Sequence, residues 1–350
     1  MSTHKRNDAF APDTERIRGR APTIVDLAFA AGVSKATVSR VLNGSPQVAD
    51  VTRARVLTAI DAMGFQVNQA ARTLRTSRTD LIGVLVPVIS VFGRIVEELD
   101  RDLAEAGISM LLTASRRRQP ERDIDAVEML VGRGVDALVL APSHDSSADL
   151  AHALGRVRAP IVLLDREVAG LAADAVLVDQ GPGITGAMEH LVADGRSRIG
   201  LLSRDDKTRP GRQIRASYEL QAVRLHLDCR ADLVQGFDDL DRRTARDGVD
   251  ALLAAGVDAI IATGTMEHTA TVLERLSELG VSVPRDLALV VYSYTGAEMS
   301  TRGGLPTVAY PVDRIAQATY RLLMPRLADP DAPPRTEIVS NVFVSTATGA

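Results

Sequence analysis

Apolar residues recur at the spacing of an α-helix in three short stretches near the start of the chain. The first stretch follows Thr23, a residue type that caps helices, and ends at Gly32, which suits the left-handed stop of a helix. The second follows Ser34 and runs to about Val41, and the third covers about residues 50–63. Three short helices around a small apolar centre predict a helix-turn-helix domain.

The second predicted helix has a polar outer face. Its apolar positions turn inward, which leaves five residues for the outer side: Lys35, Ala36, Thr37, Ser39 and Arg40. Lys35 and Arg40 can donate hydrogen bonds to guanine O6 and N7 or to phosphate. Thr37 and Ser39 are short donors that fit against a DNA backbone or a base edge. This chemistry favours DNA binding, although the spacing alone is shared by any helical hairpin with a polar face.

Beyond residue 80, apolar segments alternate with amphipathic ones. The apolar segments are strand candidates: Leu81–Pro87, Ser109–Thr113, Asp136–Ala141, Pro160–Asp165, Arg198–Ser203, Asp258–Thr263 and Leu287–Tyr292. The amphipathic segments include five helix candidates: Ile95–Ala106, Glu121–Val131, Ile184–Ala193, Arg242–Ala254 and His268–Leu279. Strands that are apolar almost throughout and alternate with helices predict parallel sheets covered on both faces.

The second part of the chain also repeats a pattern. The motif IGVL at Ile82 is followed by GVDALVLAP at Gly134. The motif IGLL at Ile199 is followed, at a similar separation, by GVDAIIATG at Gly256. The repeat predicts one α/β lobe used twice, with a cleft between the two lobes that is a natural place for a ligand.

Charge is distributed unevenly along the chain. The formal net charge is −4, but residues 1–80 contain 12 Lys and Arg against 7 Asp and Glu. A basic first part on an acidic remainder suits a polyanionic partner for the first part, although a solvated charged surface has the same composition. There is no apolar run of about 18 residues and no apolar stretch typical of a secretory signal, so we expect a cytoplasmic protein without membrane contact.

The sequence gives little indication of catalysis. The chain has no P-loop and no G-x-G-x-x-G after its first strand, and its six histidines lack metal-ligand spacing. Asp165 and Asp179 stand at predicted strand ends, where both catalytic carboxylates and ligand contacts occur. The single cysteine, Cys229, is expected to pack rather than react. We therefore expect no enzyme activity, no cofactor and no metal site.

The first part of the chain resembles the head of the lactose/galactose repressor family of transcription regulators. The resemblance rests on TIVDLAFAAGVSKATVSRVLN, VTRARVLTAIDAMGF and NQAARTLR, and it covers roughly Thr23 to Arg75. It implies that the second helix lies in the major groove and that Lys35, Ala36 and Arg40 read bases. It also implies four phosphate contacts: Thr23, Ser34, Asn43 and Thr52. Ala49 stands where the family usually has a capping serine.

Residues 67–79, VNQAARTLRTSRT, resemble the hinge helix of the same family, which orders when two subunits meet on DNA. The segment is too short for an isolated helix to persist in water. The resemblance implies that Leu74 enters the minor groove at the centre of the DNA site and kinks it. Its implied DNA contacts are Asn68, Ala71 and Leu74. Val67 replaces the usual proline, and a basic linker with a chance apolar stripe is the alternative interpretation.

The remainder follows the family pattern more loosely, and the family's body has two lobes, resembles periplasmic sugar-binding proteins and forms dimers. Seven positions are candidate effector contacts: Phe92, Asp165, Arg212, Arg215, Thr265, Ser293 and Tyr310. Asp165 matches a usual polar contact, and Arg212 or Arg215 can replace a displaced family arginine. Ser293 replaces an aspartate that commonly binds sugar hydroxyls, and Val88 replaces a polar group.

Each lost carboxylate removes a strong acceptor for hydroxyl groups. We therefore expect an effector that is not an ordinary neutral sugar but an acidic or more apolar molecule. The alternative is a vestigial pocket whose nearby arginines are only surface charges.

The predicted fold is multidomain: an all-α helix-turn-helix head followed by an α/β two-lobed body with parallel sheets. The predicted boundaries are a tail at 1–20, the head at 21–66, the hinge at 67–79 and the effector-binding and dimerisation body at 80–350. We expect a sequence-specific transcriptional repressor that binds a near-palindromic double-stranded DNA operator as a homodimer or tetramer. A small-molecule effector between the lobes would change the affinity for the operator. A constitutive DNA-binding regulator with a degenerate pocket is the first alternative, and an α/β enzyme with an accessory head is the second.

Overall fold

The computed structural model describes residues 22–42, 45–65, 78–115, 120–204, 206–238, 241–294 and 304–345. The chain divides into two compact units. The unit Met1–Arg78 is called the head and the unit Thr79–Ala350 is called the body.

The head contains three helices among its described residues: α1 (Ile24–Ala30), α2 (Lys35–Leu42) and α3 (Asp50–Met63). Thr23 caps α1 through a reciprocal pair, in which its hydroxyl accepts from the backbone N–H of Asp26 and the Asp26 carboxylate accepts from the backbone N–H of Thr23. Gly32 and Gly64 have φ angles of 63° and 57°, the left-handed conformation that ends α1 and α3.

The three head helices pack around a small apolar core. Leu27, Val38 and Val56 contribute one fully buried side chain from each helix. The predicted helix-turn-helix domain is confirmed. Ala49 precedes α3 without a side-chain capping bond, so this helix lacks the cap that a serine would supply.

The body contains two six-stranded sheets, and the first defines the N-lobe. Its strands, in spatial order, all run parallel to their neighbours. They are β11 (Thr336–Ser340), β5 (Asp174–Asp179), β4 (Ile161–Leu164), β3 (Ala137–Leu140), β1 (Leu81–Val86) and β2 (Ser109–Ala114).

The second sheet defines the C-lobe and has the same strand order. Only its last strand differs, because β12 runs antiparallel to β10. In spatial order the strands are β12 (Val342–Val344), β10 (Thr307–Ala309), β9 (Ala288–Ser293), β8 (Ala259–Ala262), β6 (Ile199–Arg204) and β7 (Val234–Phe237). The predicted use of one α/β lobe twice is confirmed.

Helices cover both faces of each sheet. The N-lobe helices are α4 (Ile89–Glu105), α5 (Pro120–Gly132), α6 (Ala148–Gly155) and α11 (Val312–Ala328). The C-lobe helices are α7 (Gly181–Ala193), α8 (Arg209–Arg224), α9 (Arg242–Ala254) and α10 (Met266–Glu278). Because side chains alternate along a strand, Val84 and Val86 join one N-lobe core while Leu85 joins the core on the other face.

Glycines in the repeated motif serve the same packing role in both lobes. A Cβ atom at Gly83 would lie 2.8 Å from a methyl group of Leu138, and one at Gly200 would lie 2.9 Å from a methyl group of Leu252. Both distances are too short for carbon atoms. The repeated glycine therefore reflects close packing around the first strand of each lobe.

The chain passes between the lobes at three points within the described residues: after β5, after β10 and after β11. Asn341 connects two of these crossovers. Its side-chain oxygen accepts from the backbone N–H of Gly183 at 2.8 Å, and its amide nitrogen donates to the side-chain oxygen of Gln180 at 2.9 Å. Asn341 is fully buried, so these contacts hold the crossover strands together beside the boundary between the lobes.

Candidate nucleic-acid interface and interlobe site

Helix α2 presents polar residues outward and apolar residues inward. Lys35, Ala36 and Arg40 are exposed, whereas Val38 and Val41 are buried in the head core. The helix has one exposed cationic side chain in its first turn and another in its last. This arrangement keeps both cations hydrated and accessible to an external anion.

Two small hydroxyl side chains hold the start of α2. The Ser34 hydroxyl accepts from the backbone N–H of Thr37 at 3.1 Å, and the two hydroxyl oxygens are 2.9 Å apart. Thr37 and Ser39 are half-buried rather than fully exposed. Ser34 therefore fixes the orientation of the outward face of α2.

The remaining predicted DNA contacts lie around this helix or outside the described residues. Thr23 is exposed at the start of α1, and Thr52 is half-buried in the first turn of α3. The loop before α3 is held by Arg53, whose guanidinium donates to the backbone oxygen of Ser45 at 2.6 Å. Four predicted contacts lie outside the described residues: Asn43, Asn68, Ala71 and Leu74.

Asp165 is the central acceptor where the two lobes of the body meet. It follows β4 directly, has a φ of 49° and is 1% exposed. One carboxylate oxygen accepts from the backbone N–H of Val178 and from the guanidinium of Arg209, both at 2.9 Å. The other accepts from the Tyr310 hydroxyl at 2.6 Å. Three of the roughly four acceptor positions of the carboxylate are thus occupied by the chain itself.

Arg209 begins α8 of the C-lobe and reaches into the N-lobe. Besides Asp165, its guanidinium donates to the backbone oxygen of Val178 at 2.9 Å and to the Glu167 carboxylate at 3.1 Å. Its backbone N–H donates to the Asp145 carboxylate at 2.7 Å. Arg209 was not among the predicted site residues, although it stands in the same TRPGRQIR stretch as Arg212.

Of the two predicted arginines, only Arg212 contacts the opposite lobe. Its guanidinium donates to the Asp145 carboxylate at 2.9 Å. Arg215 instead pairs with Glu219 on its own helix, and its role as an effector contact stays a prediction. The three arginines are spaced by three residues, nearly one helical turn each, so Arg215 lies furthest from the start of α8, where Arg209 and Arg212 contact the N-lobe.

Burial changes the ionisation of the groups in this site. Burial lowers the pKa of the Arg166 guanidinium, which donates to the backbone oxygens of Pro142 and Asp165. Burial and the neighbouring Asp165 carboxylate raise the pKa of Tyr310 well above its ordinary value. Burial also raises the pKa of the Asp165 carboxyl, and the hydrogen bonds from Tyr310 and Val178 oppose that change. The charged forms of the side chains in this site are therefore stabilised by partners that the protein itself supplies.

The other predicted effector contacts have mainly structural neighbours. Phe92 is 3% exposed and belongs to the N-lobe core. Thr265 caps α10 and has its hydroxyl oxygen 2.8 Å from Nδ1 of His268. Ser293 ends β9, and its backbone oxygen accepts from the backbone N–H of Tyr310 at 2.8 Å. The structure therefore brings Asp165, Tyr310 and Arg212 into one site and places Phe92 in a core.

The described part of the chain contains no group of three or more His, Cys, Asp or Glu side chains that could hold a metal ion. Within the same residues, every helix is too short or too polar to cross a membrane. The prediction that Cys229 packs in the interior is wrong, because its side chain is exposed.

Models of known protein families match more than half of the head and almost the whole of the body. Residues 23–68 match the model described as bacterial regulatory proteins, lacI family. Residues 79–262 match periplasmic binding proteins and sugar binding domain of LacI family, and residues 188–344 match a periplasmic binding protein-like domain. The chain therefore belongs to the lacI family of bacterial regulatory proteins. It is a DNA-binding transcriptional regulator.

Individual relatives support the same assignment. The HTH-type transcriptional regulator MalR of Streptomyces coelicolor is 30% identical over 322 residues, covering 89% of this chain and 91% of the relative. The HTH-type transcriptional regulator GalR of Escherichia coli is 28% identical over 327 residues, covering 93% of each chain. A Lac repressor structure bound to ONPG has the same fold, with a TM-score of 0.80 at 21% identity, and covers 94% of this chain and 100% of its own.

Proposed function

We propose that this regulator is a homodimeric repressor that binds a near-palindromic DNA operator. The observation that carries the proposal is the exposed polar face of α2, held at its start by Ser34 and backed by buried Val38 and Val41. A helix-turn-helix dimer binds two half-sites related by its own two-fold symmetry. A solved Lac repressor dimer of the same fold, 21% identical to this chain, is bound to operator DNA, which supports this arrangement.

Within each half-site, we assign base contacts to the exposed residues of α2. Lys35 and Arg40 donate to base edges in the major groove, and Ala36 makes apolar contact there. Phosphate contacts position the head without reading sequence, and four residues are assigned to them: Thr23, Ser34, Asn43 and Thr52. In the hinge, Asn68, Ala71 and Leu74 contact the centre of the operator, with Leu74 as the minor-groove wedge.

The body is proposed to bind a small-molecule effector between its lobes. Relatives with the same architecture include a regulator solved as a complex with cellobiose, and the Lac repressor solved with ONPG. In this chain, Asp165 already accepts from Arg209, Tyr310 and Val178. It has little capacity left for sugar hydroxyls, so the proposed effector is an acidic or more apolar molecule rather than an ordinary neutral sugar.

Selection of bound DNA from random sequences tests the DNA proposal. The full-length protein should enrich a near-palindromic site with two equivalent half-sites. Enrichment of an asymmetric site, or of no defined sequence, would contradict the proposed two-fold arrangement. Repeating the selection with candidate metabolites tests regulation separately, since an effector changes the recovery of the same site.

Calorimetry tests the proposed effector class. Galactose, maltose and cellobiose should show no saturable binding to the full-length protein. The first candidates are small carboxylic acids that are substrates or products of the enzymes encoded beside the selected operator. Tight binding of an unmodified hexose or pentose would reject this effector class and leave the DNA proposal intact.

A further inference from the structure

The two lobes are joined by charged side chains that belong to the chain itself. The C-lobe contributes Arg209, and the N-lobe contributes three carboxylates from the loops after β3 and β4: Asp145, Asp165 and Glu167. Arg209 contacts all three, two through its guanidinium and one through its backbone N–H. A single residue at the start of α8 therefore holds two separate loops of the opposite lobe.

The central pair is buried. The side chains of Arg209 and Asp165 are 8% and 1% exposed, and their closest nitrogen and oxygen atoms are 2.9 Å apart. The two partners belong to different lobes, so moving one lobe away from the other would break this ion pair. The Glu167 contact differs, because this carboxylate is 59% exposed and its contribution is screened by solvent.

The pair also lies beside the crossovers. Val178 is two residues before the start of the first crossover at Gln180, and it bonds both Asp165 and Arg209. Tyr310, which donates to Asp165, follows β10 directly and stands two residues before α11, the helix that follows the second crossover. Rotation of one lobe against the other would have to change the contacts of Asp165 and Arg209 together.

We propose that Arg209 is an interlobe latch, which holds the two lobes in the arrangement of this structure through Asp165, Asp145 and Glu167. The latch concerns the body alone, so it stands or falls independently of the proposed operator and effector. Arg209 is a positioning residue in this role, because it acts by holding the loops of the N-lobe in place.

The distance between the two lobes can be measured by electron spin resonance between two spin labels, one on each lobe. One label uses Cys229, the single cysteine of the chain, which is exposed on the C-lobe. The other uses a cysteine introduced at the exposed Glu128 on α5 of the N-lobe (Glu128→Cys). Labelled full-length protein is diluted into unlabelled protein, so that only distances within one subunit are recorded.

The unsubstituted pair should give one narrow distance distribution, and Arg209→Ala should broaden it and change its mean as the lobes separate. Arg209→Lys keeps the charge but loses the forked geometry, so it should give an intermediate distribution. The matched control is Arg215→Ala, on the same helix, which removes an ion pair confined to that helix and should leave the distribution unchanged.

A second variant keeps the proposal testable if Arg209→Ala fails to fold. Tyr310→Phe removes one donor to Asp165 and little volume, and it should broaden the same distribution to a smaller extent. Unchanged distributions in the folded Arg209→Ala and Tyr310→Phe proteins would overturn the latch. A broad distribution in the unsubstituted protein would overturn it as well.

Discussion

The head and the interlobe site use the same kinds of side chain in opposite ways. On α2, Lys35 and Arg40 are exposed and point away from the head core. Between the lobes, Arg166 and Arg209 are buried and bonded to groups of their own chain. Exposed cations stay hydrated until an external anion replaces the water. Buried cations need partners within the protein that offset the cost of their desolvation. Exposure and pairing, more than residue type, therefore distinguish the cations of α2 from those between the lobes.

The largest expected effect comes from breaking a buried pair in the body. Asp174 is fully buried and binds Arg326 through both carboxylate oxygens at 2.8 Å. Arg326→Ala leaves this carboxylate without its cation, and we expect a loss of about 3–5 kcal/mol in the free energy of unfolding. Denaturant unfolding, followed through the transition of the body, measures this loss of stability. Arg321→Ala, on the same helix, removes only an exposed pair with Glu337 and should leave the midpoint unchanged.

A core substitution in the head should separate the two regions. Leu27 is fully buried among the three helices, and Leu27→Ala should destabilise the head by about 2–5 kcal/mol. Operator binding should be lost while the unfolding transition of the body keeps its midpoint, which calorimetry and DNA titration record together. A matching loss of body stability would mean that head and body do not unfold separately.

On the outward face of α2, substitutions should affect binding without affecting stability. Arg40→Ala should reduce the difference in binding free energy between the preferred base and the other bases at the contacted position by about 1–3 kcal/mol. The melting temperature of the protein should stay unchanged. Thr52→Ala should weaken binding to all DNA sequences alike. Titration with operator and single-base variants at a fixed salt concentration distinguishes these results. Equal losses on every sequence for Arg40→Ala would reject its role as a base contact.

The smallest expected effect belongs to the exposed ion pairs on the C-lobe. Arg275 binds Asp250 and Glu278, and these hydrogen bonds raise the pKa of its guanidinium further above an already high value. Because all three side chains are partly exposed to solvent, Arg275→Ala should leave the midpoint of denaturant unfolding almost unchanged. A large loss of stability would show that surface pairs, and not only buried ones, hold this lobe together.

Two predicted helices agree with the structure along their whole length. Residues 50–63 form α3 as predicted, and Arg242–Ala254 forms α9 with the same ends. Periodicity was sufficient there because one face of each helix is buried. The candidate Ile95–Ala106 was too short at its start, since α4 begins at Ile89, where Val88 supplies no side-chain cap that would mark the boundary.

Among the elements that were not predicted, three strands and one helix have weak local patterns. Strands β10 and β12 have only three residues each, too few for a periodic signal. Strand β7 contains a polar and a small residue in its centre and is only partly buried. Helix α8 carries polar residues on most of its length, so its apolar stripe is hard to recognise from sequence. Pairing with neighbouring strands and packing against the sheets stabilise these elements.

The sequence alone determined the class of this protein, through the resemblance of residues 23–75 to the head of the lactose/galactose repressor family. Helix caps, apolar spacing and the polar positions of α2 predicted only a helix-turn-helix domain that suits DNA. The sequence also determined the repeated lobe, through strands whose apolar character reflects burial on both faces. Only the tertiary structure decided that Asp165 binds Arg209 rather than Arg215, because the two partners are 44 residues apart in the chain. Such a choice depends on how two lobes pack and on which buried charges can satisfy each other, and neither is encoded in a local pattern.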